Sequence, residues 1–490
     1  MEKNSYILRA HTQLNDIDKL VRDIARIFFV QPAGSEQTAN LIIELSQTDS
    51  SFSLQLAKLT SNKLLPVHQE LITLANLDKS RWRHKLKLQL FKALATIYQE
   101  RQDEWGILSG VRPIKLVQML MAKGLYGEEL REHLETEYLL SPAKIELAIQ
   151  IANCENAILS KYQSKNNIAV YVGVPYCNSK CTYCSFPSGL LPENALDTEL
   201  FLQTIEQDVK DVIQLANECG LNISSLYIGG GTPTSFSDTH FADFINILRP
   251  LTNSLGLQEF TFEAGRVDSL TEHKLELLQD IGITRISLNP QTFNDATLQK
   301  VGRNHTVQEF ECWYEYVRTN FEWQINMDII LGLPSETLVE VEYTLNKVAQ
   351  LAPDSLTVHV LAFKKDSTLF SEYQAYYQDN AVVAQMLNMA KQTAAKMQLV
   401  PYYLYRQGYI LGNLENIGYA KLDCSSLYNI MIMREQHTII GIGPSSKTKL
   451  VAADNKIETF FMPKNVHTYI EKQTDSFAKR KKMLLQSLEK

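Results

Sequence analysis

From Ile168 onward the chain repeats one pattern: a short apolar run, a turn, then apolar residues at helical intervals. The runs are IAVYVGV from Ile168, SLYIGG from Ser225, EFTFEA from Glu259, RISLNP from Arg285, QINMDIIL from Gln324 and SLTVHVL from Ser355. Helical spacing fills the intervals, most clearly over residues 196–219, 272–279 and 336–351. Near-continuous apolar strands alternating with helices predict a parallel sheet with right-handed crossovers. Six units are too few to close an eight-fold barrel. The expected α/β architecture is therefore an open, partial (β/α)6 barrel, with its functional residues on loops at the C-terminal ends of the strands.

The flanks read differently. Residues 1–165 combine alternating stretches (SYILRAHT, SFSLQLAKL) with helical patterns over 81–99 and 142–159, which predicts an N-terminal α+β unit and a helical connector. The barrel then occupies 166–365. Residues 366–490 open on the helical MLNMAKQTAAKM and pass through YYLYRQGYILGNLENIGYA. They continue in two strand-like runs, NIMIM and TIIGIG, and predict a C-terminal α+β domain. The terminal AKRKKMLLQSLEK reads as a solvated, basic surface helix.

Composition narrows the function classes. Hydrophobic residues make up 45% of 490 and charged residues 21%, enough for sizeable cores. A net charge of -7 gives no reason to expect a nucleic-acid partner. The first residues lack the pattern of a signal peptide, and no apolar stretch has the length of a membrane span, so a cytoplasmic protein is expected. Seven cysteines in so long a chain do not make a disulfide framework. Cys154, Cys219, Cys312 and Cys424 are scattered and read as ordinary thiols. Cys177, Cys181 and Cys184 are clustered.

That cluster lies in GVPYCNSKCTYCSF, a Cys-x3-Cys-x2-Cys spacing just after the first barrel strand. Structural zinc usually takes four protein ligands, and no histidine stands nearby to complete the set. Three soft thiolates on a compact loop suit a four-iron cluster with one iron left open; an incomplete zinc site or three unrelated thiols are the alternatives. Other polar residues stand at strand ends. Gly230, Gly231 and Thr232 lie in LYIGGGTPT, where glycines let backbone approach a ligand. Glu263 ends the third strand, as an acceptor for a ligand ammonium or hydroxyl, or as a salt-bridge partner of Arg266. Gln291 ends the fourth strand and Arg303 follows in KVGRNHT. Asp328 sits inside the apolar fifth strand, where an acid is costly unless paired.

The cysteine spacing, Tyr183 before the third cysteine and the barrel context resemble the radical S-adenosylmethionine (SAM) superfamily. The resemblance implies that Cys177, Cys181 and Cys184 ligate a [4Fe–4S] cluster. It implies too that SAM chelates the open iron and is cleaved to a 5′-deoxyadenosyl radical that takes hydrogen from a substrate. LYIGGGTPT, FEAGR, NPQTF, VGRNHT and DIILGLP are similar to the oxygen-independent coproporphyrinogen oxidase branch. By that likeness Tyr171, Gly230, Gly231, Thr232, Glu263, Gln291, Arg303 and Asp328 form the SAM site. Glu263 and the glycine motif meet polar groups of SAM, Gln291 and Asp328 the ribose, and Arg303 the carboxylate. No catalytic residue is assigned beyond the cluster.

GVRPIK at 110–115, EAGR, and the Tyr- and Gly-rich C-terminal text resemble HemZ-type coproporphyrinogen dehydrogenases. The implied activity is oxidative decarboxylation of coproporphyrinogen III propionates to vinyl groups, in porphyrin and haem biosynthesis. The implied partners are a tetrapyrrole substrate and an electron donor such as flavodoxin or ferredoxin. Arg266, Lys364, Lys365, Arg406 and Lys447 are candidate partners for substrate carboxylates. Two positions depart from the decarboxylating members: Phe186 stands where they carry a further cysteine, and Gly173 where they carry a histidine. Haem-chaperone relatives share the phenylalanine, so a haem-binding chaperone is the alternative function, as is another tetrapyrrole-modifying enzyme. A chaperone needs an axial ligand, for which His305, His359 and His437 are candidates; Glu415 stands where those relatives carry a histidine.

Overall fold

The computed structural model describes residues 5–12, 16–28, 31–32, 39–48, 51–60, 63–73, 78–98, 103–162, 164, 166–184, 186, 188–254, 256–364, 367–372, 380–452 and 456–488. The chain divides into two compact units, Met1–Ile149 and Gln150–Lys490.

The first unit is a five-stranded sheet followed by helices. Strands β1 (Ser5–His11), β2 (Gln31–Pro32), β3 (Leu41–Gln47), β4 (Ser51–Thr60) and β5 (Lys63–Thr73) lie in the order β2-β1-β3-β4-β5. Alternating apolar residues of β3 and β4, Leu41, Ile43, Leu45, Phe52, Leu54 and Leu56, share a core with Trp82, Leu86 and Leu90 of the helix Lys79–Ile97. Asp78 caps that helix by accepting from the Ser80 and Arg81 amides. Helices Pro113–Ala122, Gly127–Tyr138 and Pro142–Leu159 follow, and the boundary between units falls within the last.

The second unit holds the barrel. Its strands are β6 (Asn167–Val174), then β9 (Asn222–Gly230), β10 (Glu259–Glu263), β11 (Arg285–Ser287), β12 (Gln324–Leu331) and β13 (Ser355–Val360), all parallel to their neighbours in chain order. A short parallel pair, β7 (Tyr176–Cys177) and β8 (Gly189–Leu190), brackets the cysteine loop. Helices Ala195–Glu218, Asp238–Thr252, Glu272–Ile281, Val307–Asn320 and Leu338–Leu351 make the crossovers. Capping boxes at Thr306/Glu309 and Thr337/Glu340 start the last two. This is the six-unit partial barrel.

The C-terminal residues extend the sheet at both edges. Strands β14 (Val400–Tyr405) and β15 (Asn416–Ala420) add antiparallel in the order β13-β15-β14. On the other edge β16 (Ile439–Ile442) runs parallel to β6, and β17 (Lys447–Val451) and β18 (Ile457–Phe461) continue antiparallel. Gly418 on β15 permits a close crossing: a Cβ there would fall 1.8 Å from the Tyr403 ring. Gly418→Ala should therefore cost about 1–3 kcal/mol in denaturant unfolding, as overpacking at a buried ring does. An unchanged midpoint would show that Tyr403 is free to move.

Two expectations are corrected. NIMIM is not a strand but lies in the helix Leu427–Arg434. The Glu259 carboxylate accepts from the amides of Leu427 (2.7 Å) and Tyr428 (3.0 Å) and from the Ser426 hydroxyl, while Ser426 accepts from the Asn429 amide. A capped N-terminus thus overrides the strand preference of the isoleucines. The terminal basic helix, Gln473–Leu488, is not wholly solvated. Phe477, Arg480 and Leu484 are buried on one face, and Arg480 sits between Asp208 and Asp211 at 2.7 Å from each.

Candidate functional site

Apolar and polar residues alternate through much of β9, β10, β12 and β13. Leu226 and Ile228, Phe260 and Phe262, Ile325, Met327 and Ile329, and Leu356 and Val358 are buried. The residues between them are polar and joined across the sheet. Ser287 accepts from the Asn326 amide at 2.9 Å, Asn326 accepts from Ser355 at 3.0 Å, and Ser355 accepts from Arg285 at 3.1 Å. One face of the sheet is therefore a hydrogen-bonded polar surface rather than a second apolar layer.

At the upper end of this surface stands Glu263. Its carboxylate accepts from the Tyr227 hydroxyl at 2.6 Å. Burial pushes its pKa up to about 7, with Asp328 adding to the rise, while Tyr227 and the Gly230 amide oppose it. Tyr171 stacks with Tyr227 (ring centroids 6.1 Å apart), and Tyr227 with Tyr428 (4.5 Å). Asp328 behaves oppositely to Glu263. Burial alone would raise it, but bonds from His359, Asn326 and Thr357 hold its pKa below the usual carboxylate range. Asn326 donates at 2.8 Å, and the His359 ring nitrogen lies 3.5 Å away.

Gln291 has left-handed backbone (φ 65°) and is buried, yet its amide oxygen has no hydrogen-bond partner. Its own amide bonds the Asp328 carbonyl at 3.0 Å, which places it beside that strand. A strained backbone with an orphaned acceptor is what a ligand hydroxyl or amine would satisfy.

The cysteine loop packs on Thr232, Arg266, Val301 and Gly302, which follow the strand ends. Thr232 donates to Cys177 Sγ at 3.5 Å and Arg266 to Cys181 Sγ at 3.5 Å. The Thr182 amide bonds the Val301 carbonyl, and the Ser179 hydroxyl the Gly302 carbonyl, both at 3.0 Å. Burial pushes the Cys184 thiol up, with Cys181 and Cys177 adding to the rise. Gly231 leaves room beside the loop: a Cβ would lie 2.4 Å from the Tyr176 carbonyl and 3.0 Å from Cys177 Sγ. Among the described residues, no three His, Cys, Asp or Glu side chains are gathered where they could hold a metal ion. The donor set fits a thiolate-bound cluster: three thiols, a hydroxyl and a buried guanidinium that donate to sulfur, and a glycine that keeps backbone off the loop.

The structure reassigns the arginines. Arg266 does not pair with Glu263; it forms a two-pronged ion pair with Asp268 (3.1 and 2.7 Å) and turns its remaining nitrogen to the loop. Arg303 is buried, bonding the Tyr183 hydroxyl at 3.3 Å and the Gly265 carbonyl at 2.6 Å. Arg406 is buried and donates to the Asn413 carbonyl at 2.6 Å. Lys447 is exposed on β17. Lys364 is half-buried, where burial lowers its pKa against the opposing influence of Cys184. Lys365 lies outside the described residues.

The three histidines separate as well. His437 is buried on the Tyr162 carbonyl (2.7 Å), and His305 is buried with its ring 6.3 Å from that of Phe310. Burial, and then Arg303, pushes His305 down to about 4. His359 borders the polar face. Tyr227, Asn326, Thr357 and Tyr405 complete the site and were missed by motif reading; their signal is the period-two polar alternation within the strands.

Residues 171–348 match the family model for the radical SAM superfamily. The oxygen-independent coproporphyrinogen-III oxidase-like protein HemZ of Bacillus subtilis is 34% identical over 98% of this chain and 97% of its own length. The heme chaperone HemW of the same organism is 30% identical over 42% of this chain and 53% of its own length. Among solved structures, the radical SAM enzyme coproporphyrinogen III oxidase (HemN) of Escherichia coli aligns over 66% of this chain and 73% of its own. The identity there is 19% and the TM-score 0.49. Radical SAM proteins use a [4Fe–4S] cluster and SAM, and these are the cofactors of the fold described here. The chain belongs to the radical SAM superfamily, in the family of the HemZ coproporphyrinogen-III oxidase-like proteins.

Proposed function

We propose that this protein is a radical SAM oxidoreductase that decarboxylates propionate side chains of coproporphyrinogen III. The observation that carries the SAM site is one polar sheet face on which Glu263, Gln291 and Asp328 lie close together beside the cysteine loop. Cys177, Cys181 and Cys184 hold the cluster in this reading. When bound, cluster and SAM supply one-electron cleavage of SAM and, from it, hydrogen-atom abstraction. The protein's own residues do the rest. Glu263 accepts from the SAM ammonium, which converts its buried carboxyl to the charged form. Gln291 and Asp328 accept from the ribose hydroxyls. Arg303 faces the carboxylate end, and Gly230, Gly231 and Thr232 keep the backbone flat where SAM passes. Tyr171, stacked on Tyr227, excludes water from the floor.

Each propionate would lose one hydrogen atom from the carbon next to the ring, then carbon dioxide and one electron, leaving a vinyl group. A one-electron acceptor takes that electron, and a low-potential donor of the flavodoxin or ferredoxin kind supplies the one that starts the cycle. Lys364, half-buried and within the electrostatic influence of Cys184, is a candidate cation for a substrate carboxylate. Near-full-length similarity to a coproporphyrinogen-III oxidase-like protein supports this substrate class. Similarity to heme chaperones supports a second reading, haem delivery.

The test is anaerobic reconstitution with iron and sulfide, then incubation with SAM, reductant and either coproporphyrinogen III or haem. 5′-Deoxyadenosine rising with coproporphyrinogen III, and a product lighter by its carboxyl groups, is the expected result. SAM cleavage that leaves coproporphyrinogen III untouched, together with tight haem binding, would replace decarboxylation by the chaperone reading.

A further inference from the structure

The motifs leave one part of the polar face unexplained. His359 lies on β13 and Tyr405 ends β14, and neither belongs to the residues assigned to the cluster or to SAM. The Tyr405 hydroxyl is 2.9 Å from His359 Nδ1, and His359 Nε2 is 3.5 Å from Asp328 Oδ2. Asn326 occupies the other carboxylate oxygen at 2.8 Å. All three members of the chain are only partly buried, so they border open space over the sheet.

The order of donors follows from chemistry. A carboxylate facing Nε2 requires a proton on that nitrogen, since a lone pair there would face an anion. In the neutral ring Nδ1 is then an acceptor, and the Tyr405 phenol donates to it. The phenol thus fixes the tautomer, and the tautomer turns the Nε2 proton toward Asp328 Oδ2. With Asn326 on Oδ1, His359 against Oδ2 and Thr357 as a further donor, the carboxylate is held against rotation. Such a rigid carboxylate suits two adjacent hydroxyls of a ligand better than a freely turning one.

We propose that His359, oriented by Tyr405, is a positioning residue that holds Asp328 for the vicinal hydroxyls of the nucleoside. This rests on the reading above in which Asp328 meets the ribose of SAM.

The probes are S-adenosylhomocysteine, which is not cleaved by reduction in this way, and its analogue lacking both ribose hydroxyls. Dissociation constants are measured by calorimetry on the reconstituted full-length protein, with iron content as the check on the cluster. His359→Phe should weaken S-adenosylhomocysteine by about tenfold or more, as loss of an orienting partner does. Tyr405→Phe, which removes a single oxygen, should weaken it roughly two- to tenfold. Neither should change binding of the dideoxy analogue, and His359→Gln, which restores a donor, should recover part of the loss. If Asp328→Asn weakens S-adenosylhomocysteine while both the His359 and Tyr405 variants bind it normally, the positioning role is wrong and the ribose reading stands. If Asp328→Asn has no effect, the ribose reading fails and takes the proposal with it. Equal weakening of both probes in the His359→Phe protein would also overturn it, because the hydroxyls would then not be what His359 serves.

Discussion

Cys181→Ala should abolish SAM cleavage and leave the fold intact. Cys181 is the most deeply buried of the three loop thiols and the one to which Arg266 donates. Removing it leaves two thiolates, too few to hold a cluster that already has one iron without a protein ligand. The loop does not depend on that sulfur for its shape. Its bonds run through backbone: Thr182 to Val301, Cys184 to the Cys181 carbonyl, Leu369 to the Thr182 carbonyl. Arg266 keeps its ion pair with Asp268. Iron bound after reconstitution should fall sharply, 5′-deoxyadenosine should drop to the level without protein, and the circular-dichroism melting curve before reconstitution should match the parent. Undiminished SAM cleavage by the alanine variant would remove Cys181 from the cluster and with it the assignment of the loop.

How legible this was depends on how local each signal is. The six barrel strands and the cysteine loop were readable because each is a short contiguous pattern. Gly230, Gly231 and Glu263 were readable for the same reason, as strand-end residues next to turns. The helix Leu427–Arg434 was not, because its local Ser426 cap is backed by a remote acceptor, Glu259, 168 residues from Leu427 in sequence. The buried role of Arg480 was hidden in the same way: its partners lie on the helix Ala195–Glu218, and in sequence it is one cation among several.

His359 and Tyr405 show a subtler loss. His359 stands in a run that reads as an apolar strand and Tyr405 in the Tyr- and Gly-rich text after it, and the useful information is which of their neighbours are polar at every second place. That alternation acquires meaning only once register is known. Asp328 pairs with Thr357, and His359 comes two residues further along the same face. The barrel strands thus carry two messages at once. The apolar set specifies the packing against helices, and the polar set specifies a hydrogen-bonded floor. A reading tuned to hydrophobic continuity recovers only the first.

The floor has a cost, and Glu263→Gln should expose it. The carboxyl of Glu263 has an ordinary pKa of 4.5 and in the folded protein titrates at about 7. Between these values the folded chain holds a proton that the unfolded chain has lost. Stability from this group is therefore fully present below about 4.5 and declines as pH rises through 7. The span corresponds to about 3 kcal/mol, an upper figure for a site that can admit water. Glutamine has nearly the same shape, still accepts from Tyr227, and carries no charge to bury. The variant, without SAM, should thus be more stable than the parent at pH 8 by roughly 1–3 kcal/mol and indistinguishable near pH 5. SAM should reverse the ranking. An ammonium beside Glu263 favours the charged form, so the parent gains what burial had cost, while the amide offers the cation no charge and binds it weakly. Urea unfolding at the two pH values, with and without S-adenosylhomocysteine, reads both effects in one series. A glutamine variant that is less stable at pH 8 would mean that the carboxylate is already compensated in the empty protein, and its place as the acceptor for SAM would have to be given up.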